Sequence, residues 1–146
     1  MPLDPRTPGD LVAEVRCYVK ERLTPLEARV AEEDHTPGEV VDKTRRLGFF
    51  GLTTPEAYGG LGLTMVEEVL VDFDMGRCSP AFRSVFGSNS GIGSQAIVMA
   101  GTEQHKQRHL PRIASGEIIG SFALTEPEAG SDPASLTTRA VRDGDG

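Results

Sequence analysis

Apolar residues recur at helical spacing through most of residues 1–117, and the runs follow residues that favour helix starts. In the first run, Thr7 and Pro8 are typical of a helix start, and Asp10 places a negative charge in the first turn. The apolar positions between residues 11 and 30 form one stripe, which Pro25 should kink or divide. This pattern predicts an all-helical domain.

The next run has a similar opening. Thr36 and Glu39 have the spacing of a capping box, and Gly48 is placed to end the helix. The inner face is expected at Val40, Val41, Thr44 and Leu47, and the residues expected in the core just after the helix are Phe49, Phe50 and Leu52. The segment 53–63 is rich in glycine, which predicts a loop.

A third helix is predicted to begin after Thr64, which forms another capping box with Glu67, and it should end near Gly76. Its apolar positions are expected to face the core: Val66, Val69, Leu70 and Phe73. A longer apolar helix at about 81–100 is interrupted by small residues at 87–94. These small residues indicate close approach of a neighbouring helix or a ligand.

Two short motifs in this region have weak functional interpretations. The spacing Gly91-x-Gly93-x-x-Ala96 superficially fits a dinucleotide fingerprint, but that fingerprint requires a preceding strand in a βαβ unit, so we reject it. Thr102 caps a fifth helix, which carries His105 and His109 at a spacing that suits a metal. Charged and polar neighbours favour a solvated face there, so no metal site is predicted.

Segment 118–132 changes character abruptly. Its first part, 118–125, is uncharged and rich in β-branched and aromatic residues, which predicts a short buried strand. Glu126-Pro127 then forces an extended or turn geometry, and the small residues at 129–131 let a ligand approach the backbone amides. Such a loop suits a flat polar ring with an adjoining phosphate, although spacing alone favours an ordinary strand-loop-strand connection.

A second strand is predicted at 136–142, and Asp143-Gly144-Asp145-Gly146 has the composition of a hairpin turn. Two strands make at best a marginal sheet. Residues 118–146 are therefore expected to open a domain that is incomplete here.

The run Phe122-Ala-Leu-Thr-Glu-Pro-Glu-Ala-Gly-Ser-Asp132 resembles the signature of the acyl-CoA dehydrogenase family. We call residues 122–132 the signature segment. Further resemblance lies, in the same order as in the family, in Pro55-Glu-Ala-Tyr-Gly-Gly-Leu-Gly-Leu63, Ala100-Gly-Thr-Glu-Gln104, Leu110-Pro111 and Ser115-Gly116-Glu117. Members are flavoenzymes with a helical N-terminal domain, a β-barrel middle domain and a helical C-terminal domain. The resemblance implies a mainly α fold, in which 1–117 form the helical bundle and 118–146 the first strands of a truncated β-barrel.

The resemblance also implies a cofactor site for FAD. Its expected residues are Phe122, Ala123, Leu124, Thr125, Glu126, Pro127, Glu128, Ala129, Gly130 and Ser131. The Leu124 backbone and the Thr125 hydroxyl would lie at the pyrimidine edge of the flavin, and Ser131 would meet the FAD pyrophosphate or the CoA side of the substrate. Glu128 departs from the family, in which many members carry glycine there, and would bend or recharge the loop.

Other site residues are implied less directly. Ser88, Asn89 and Ile92 are candidates for lining an acyl pocket. No catalytic residue is assigned, because in the family the base lies in the C-terminal domain, which would place it beyond residue 146. Glu126 is not that base.

The implied function is oxidation of an acyl-CoA thioester to the trans-2-enoyl-CoA, with electron-transferring flavoprotein as acceptor and a homo-oligomeric complete protein. A flavin-dependent oxidase or monooxygenase of the same superfamily is one alternative. A noncatalytic helical interaction module is another. The 146 residues taken alone are expected to be inactive and to hold FAD poorly.

Composition limits the partners. The formal net charge of −7 argues against nonspecific binding of nucleic acid or an anionic membrane, because either needs a basic face. No apolar run approaches the length of a membrane span. Two cysteines, Cys17 and Cys78, are too few and too far apart for a zinc or redox framework. We expect both in the core, and a reducing cytoplasmic compartment is the default.

Overall fold

The computed structural model describes residues 7–144, and the fold is mainly helical, as predicted. Seven α-helices lie within this range: α1 Pro8–Tyr18, α2 Glu27–Glu33, α3 Gly38–Leu47, α4 Met65–Met75, α5 Pro80–Ser90, α6 Ile92–Ala100 and α7 Glu103–Ala114. Short 3-10 turns lie at Thr24–Leu26, Phe49–Gly51, Glu56–Tyr58 and Pro133–Ser135.

The first predicted helix start is confirmed. The Asp10 backbone N–H donates to the Thr7 hydroxyl at 3.2 Å, and the Thr7 N–H donates back to the Asp10 carboxylate at 3.2 Å. The chain then passes through a π-helical segment, Val19–Leu23, and the 3-10 turn that contains Pro25 before α2 begins. Pro25 therefore divides the helix, because its nitrogen donates no hydrogen bond.

The capping box predicted at Thr36 and Glu39 is wrong. Helix α3 begins one residue later than that box requires, with Pro37 at the N-cap, and no side chain caps it. The Pro37 carbonyl instead accepts from the Val40 N–H at 2.9 Å. The other ends behave as predicted, since Gly48 ends α3 at φ 80° and Thr64 caps α4 together with Glu67.

Aromatic side chains fill the core. Phe49, Phe50 and Leu52 are fully buried, as predicted. The rings of Phe49 and Phe86 meet edge to face, with centroids 5.0 Å apart and planes at 62°. Gly116, at φ 71°, closes over Phe50, and a Cβ there would lie 2.9 Å from the ring. The core therefore joins α3, α5 and the turn that follows α7.

Helix α4 is oriented differently from the sequence prediction. The four positions expected inside are exposed, from 49% at Leu70 to 73% at Phe73. Val71 and Met75, each 1% exposed, face inward instead. Asp74 lies on the same inner side, where Arg16 of α1 binds its carboxylate. The helix thus has two competing faces, and the one that carries Val71, Asp74 and Met75 is buried.

The expectation for the cysteines is half correct. Cys78 is buried, and its thiol donates to the Met75 carbonyl at 3.2 Å. Burial raises the pKa of the Cys78 thiol to about 11. Cys17 is exposed, because it lies on the outer side of α1 between the buried positions Val15 and Tyr18.

The predicted strands at 118–125 and 136–142 are not confirmed. Within residues 7–144 the chain forms no β-ladder, and its only bridge pairs Glu126 with Ala129. A strand is defined by its partner, and no described segment pairs with either stretch through a ladder of backbone hydrogen bonds. Gly144 has φ 64°, as a turn would need, while 145 and 146 lie outside the described residues. None of the described helices has the length and apolarity to cross a bilayer.

Phe49, which is buried in the core, and Phe73, which is exposed on α4, give a stability test. We expect Phe49→Ala to lower the free energy of unfolding by about 3–5 kcal/mol, because it leaves a cavity in the core. Phe73→Ala, the control, should change it by less than about 0.5 kcal/mol, because that ring is exposed. Urea denaturation of the chain measures both. Equal losses would contradict the orientation of α4.

Candidate functional site

A single buried side chain ties the start of segment 118–132 to the helices. Asn89, 1% exposed on α5, donates through Nδ2 to the carbonyls of Ile113 at 2.9 Å and Ile118 at 2.8 Å. Its Oδ1 accepts from the Gly120 N–H at 2.8 Å. The amide thus binds the backbone of its own chain through both donors and its oxygen. Asn89 was a candidate for an acyl pocket, and these bonds give it a structural role.

The same segment touches α6 through two glycines. A Cβ on Gly93 would lie 3.3 Å from the Gly120 Cα and 2.6 Å from the Ser88 carbonyl, and a Cβ on Gly120 would lie 3.3 Å from the Gly93 Cα. Only glycine lets the two backbones come this close. The small residues at 87–94 do mark a close approach, and the group that approaches is the backbone before the signature segment.

Beyond Gly120 the backbone is open. Residues 121–125 are exposed, with Phe122 at 48% and Leu124 at 41%. Within the described residues, none of their N–H groups donates to a protein acceptor. The hydroxyls of Thr125 and Ser131 also have no partner in that part of the chain. This stretch therefore offers a row of free hydrogen-bonding groups.

A tight turn follows. The Glu126 N–H donates to the Ala129 carbonyl at 2.8 Å, and the Ala129 N–H donates back to Glu126 at 3.3 Å. Ala129 is 5% exposed, and Gly130 lies beside the Thr125 methyl group, with its Cβ position 3.9 Å away. Glu128 is exposed within this turn, which closes in spite of the extra carboxylate. The turn brings Thr125 and the small residues after it together.

The Glu126 carboxylate holds the far side of the loop. Its Oε2 accepts from the N–H and the hydroxyl of Thr137, both at 2.8 Å, and its Oε1 accepts from the Thr138 N–H at 2.7 Å. Hydrogen bonding from the Thr138 side chain, then from the Thr137 and Thr138 backbones, lowers the pKa of Glu126 to about 2. The carboxylate is thus ionised and engaged, which suits a structural tie and not a general base.

The ten predicted cofactor residues lie together along one loop, in different environments. Ala129 is buried, Glu126 is half-buried, and the rest are exposed, including Phe122, Ala123, Pro127 and Gly130. Sequence reasoning missed Thr137 and Thr138, since nothing in their spacing links them to Glu126. Ser88 and Ile92 are also exposed.

The histidine pair on α7 stays apart from this loop. His105 is exposed, and its N–H donates to the Thr102 hydroxyl at 3.3 Å, so the predicted cap is present. Among residues 7–144, no cluster of three or more His, Cys, Asp or Glu side chains is placed to hold a metal ion.

Comparison with known proteins identifies the family. Residues 9–117 match the family described as "Acyl-CoA dehydrogenase, N-terminal domain". The chain therefore belongs to the acyl-CoA dehydrogenase family.

Individual relatives agree. The chain is 33% identical over 128 residues to an acyl-CoA dehydrogenase of Bacillus subtilis (strain 168), covering 88% of this chain and 34% of that protein. It superposes on a glutaryl-coenzyme A dehydrogenase in complex with glutaryl-CoA with TM-score 0.76 and 32% identity, covering 94% of this chain and 36% of the other. An acyl-CoA dehydrogenase from Bacillus anthracis complexed with FAD gives TM-score 0.73 at 30% identity, covering 88% and 22%. The chain spans about a third or less of each relative.

Loss of the Asn89 amide should destabilise the chain strongly. Asn89→Ala leaves the Ile118 carbonyl and the Gly120 N–H without a partner and removes one of two donors to the Ile113 carbonyl, so we expect the free energy of unfolding to fall by roughly 2–4 kcal/mol. Ser88→Ala, an exposed neighbour on α5, is the matched control and should cost less than about 0.5 kcal/mol. Chemical denaturation compares them. Similar costs for the two variants would show that the amide contributes little.

The Glu126 tie should depend on pH in a defined direction. Its pKa of about 2 lies below the ordinary 4.5, so its stabilisation of the loop is complete above pH 4.5 and is lost as the pH falls through 2. The amide shifts of Thr137 and Thr138 in NMR spectra should therefore titrate near pH 2. Glu126→Gln should abolish this titration, while Glu128→Gln should leave it intact. A midpoint near 4.5 in the unmodified chain would rule the tie out.

Proposed function

We propose that the protein acts in the FAD-dependent oxidation of an acyl-CoA thioester to the trans-2-enoyl-CoA, and that the signature segment forms part of its flavin site. The observation that carries the proposal is the row of free N–H groups at 121–125 beside the unpartnered hydroxyls of Thr125 and Ser131. In a protein of this family, such groups are available to bind a polar ligand. Because the chain spans only part of its relatives, the reaction is proposed for the protein as a whole.

The donor set fits FAD. Neutral N–H and O–H groups suit the carbonyl and ring-nitrogen edge of a flavin, and a hydroxyl beside glycine suits a pyrophosphate. We assign the Leu124 backbone and the Thr125 hydroxyl to the pyrimidine edge, and Ser131 to the pyrophosphate or the CoA side of the substrate. When bound, FAD would accept the hydride from the acyl β-carbon. A relative of this chain has been solved with FAD, which supports the assignment.

Each part of the loop then has a task. Thr125 and the Leu124 N–H would orient the ring and stabilise the negative charge that develops at its pyrimidine edge. Glu126 would hold the loop through Thr137 and Thr138. Its carboxylate is occupied by these bonds and would take no part in proton transfer. We assign no catalytic base among residues 7–144 and propose that the base lies in a C-terminal helical domain of the complete protein.

The assembly of the complete protein is also part of the proposal. We propose a helical domain at 1–117, a β-domain beginning at 118, a homo-oligomer, and electron-transferring flavoprotein as the acceptor of electrons. The names of the relatives support an acyl-CoA substrate of one kind or another, such as glutaryl-CoA for one solved enzyme.

Removal of one hydroxyl tests the flavin contact. In the complete protein, Thr125→Val should weaken FAD binding by roughly 0.5–1.5 kcal/mol, the value of one hydrogen bond, because it keeps the shape and deletes the donor. Ser84→Ala, which removes an exposed hydroxyl from α5, is the control and should have no effect. Fluorescence titration with FAD measures both. Unchanged affinity in Thr125→Val would remove that residue from the site.

A second measurement tests whether an acyl-CoA is the substrate that reduces the flavin. Under anaerobic conditions, acyl-CoA should bleach the flavin absorbance of the complete protein. Flavin that stays oxidised with acyl-CoAs of several lengths would contradict dehydrogenation while leaving flavin binding intact.

A further inference from the structure

A basic groove lies between the end of α1 with the π-helical segment and the turn that follows α4. It is open to solvent, has a volume of about 620 Å³ and is lined by Arg16, Val19, Lys20, Thr24 and Arg77. Three of these five residues are cations, in a chain whose formal net charge is −7. Like charges gathered at one concave surface repel one another, so such a cluster needs either a nearby anion or a ligand that supplies one.

One buried acid organises the groove. The Asp74 side chain is 3% exposed, and its Oδ1 accepts from Arg16 Nε at 3.1 Å and from Arg77 Nε at 3.0 Å. Its Oδ2 accepts from Arg16 Nη2 at 3.0 Å. The two guanidinium groups are thereby fixed at their inner edges, while their side chains remain 64% and 62% exposed. Asp74 thus orients the cations without covering them.

The acid does not balance the charge. Arg16, Lys20 and Arg77 carry three positive charges against the single negative charge of Asp74, which leaves two. Within the described residues, Lys20 Nζ and both Nη atoms of Arg77 donate to no protein acceptor. The groove therefore has spare N–H donors, and those of Arg77 are oriented by its bond to Asp74.

The backbone on one side of the groove is also unusual. Val19–Leu23 forms a π-helical segment, which contributes Val19 and Lys20 to the groove. Such segments occur rarely and are frequent at functional sites. Thr24, the next residue, adds a hydroxyl to the lining. Arg22 lies in the same segment, is exposed, and does not line the groove.

We propose that this groove binds the phosphate group of a small phosphorylated molecule. Fixed guanidinium edges with an ammonium and a hydroxyl match phosphate oxygens, which accept several charge-assisted hydrogen bonds at once. The volume is within the range of small-molecule sites, and the apolar stems of the cations offer contact to an organic group attached to the phosphate. This site is independent of the flavin proposal.

Calorimetric titration of the complete protein with inorganic pyrophosphate at low ionic strength tests the proposal. Lys20→Ala should weaken binding about tenfold, since it removes one charge-assisted contact and breaks no ion pair of the fold. Arg77→Ala should do the same. Arg22→Ala removes an equal charge from the same π-helical segment and should leave binding unchanged.

Several results would overturn the proposal. They are no measurable binding of pyrophosphate, equal weakening by Arg22→Ala and Lys20→Ala, or binding of an aspartate-rich peptide in place of pyrophosphate. Association with phosphatidylglycerol vesicles in the absence of pyrophosphate binding would also contradict it, because the site would then be a membrane contact. Circular dichroism of Lys20→Ala establishes that any loss of binding does not come from unfolding.

Discussion

The hydrogen bonds of the Asn89 side chain hold together the parts of the structure on which the candidate site depends. One amide joins α5 to the end of α7 and to the backbone at 118–120. Because this amide is buried, its bonds face little competition from water, and each would be costly to leave unmade. The signature segment begins two residues after Gly120, so the helical core fixes where it starts even though no sheet forms within the described residues.

The polar groups of the loop that follows Gly120 are of two kinds: some have hydrogen-bond partners within the chain, and others have none among the described residues. Glu126 and Asp132 bind backbone N–H groups within their own chain and thereby shape the loop. The donors at 121–125 and the hydroxyls of Thr125 and Ser131 bind nothing in the described chain. Polar groups of the first kind maintain a conformation, whereas the second kind are available for recognition. This division supports a flavin site on the open side, with the carboxylate of Glu126 kept out of the chemistry.

The sequence was sufficient where the signal is local. The caps at Thr7 and Thr64 and the stop at Gly48 depend on residues within three or four positions, so they could be predicted. The face of α4 could not, because two stripes compete and the contacts of the buried one are not local: Val71 and Met75 pack into the core, and Asp74 pairs with Arg16, 58 residues away. The signature predicted a flavin loop at 122–131, and that assignment stays a prediction. The roles of Asn89 and Glu126 come from contacts with residues 11 to 31 positions away, for which no spacing rule exists.

The most direct test of this account is amide hydrogen exchange across the chain, followed residue by residue by NMR. We expect the Gly120 amide to exchange as slowly as the core amides of α5, because it is bound to a buried side chain, and the amides of residues 121–125 to exchange rapidly. Rapid exchange at Gly120, or protection at 121–125 equal to that of the helices, would contradict the division into an anchored start and an open, ligand-facing stretch.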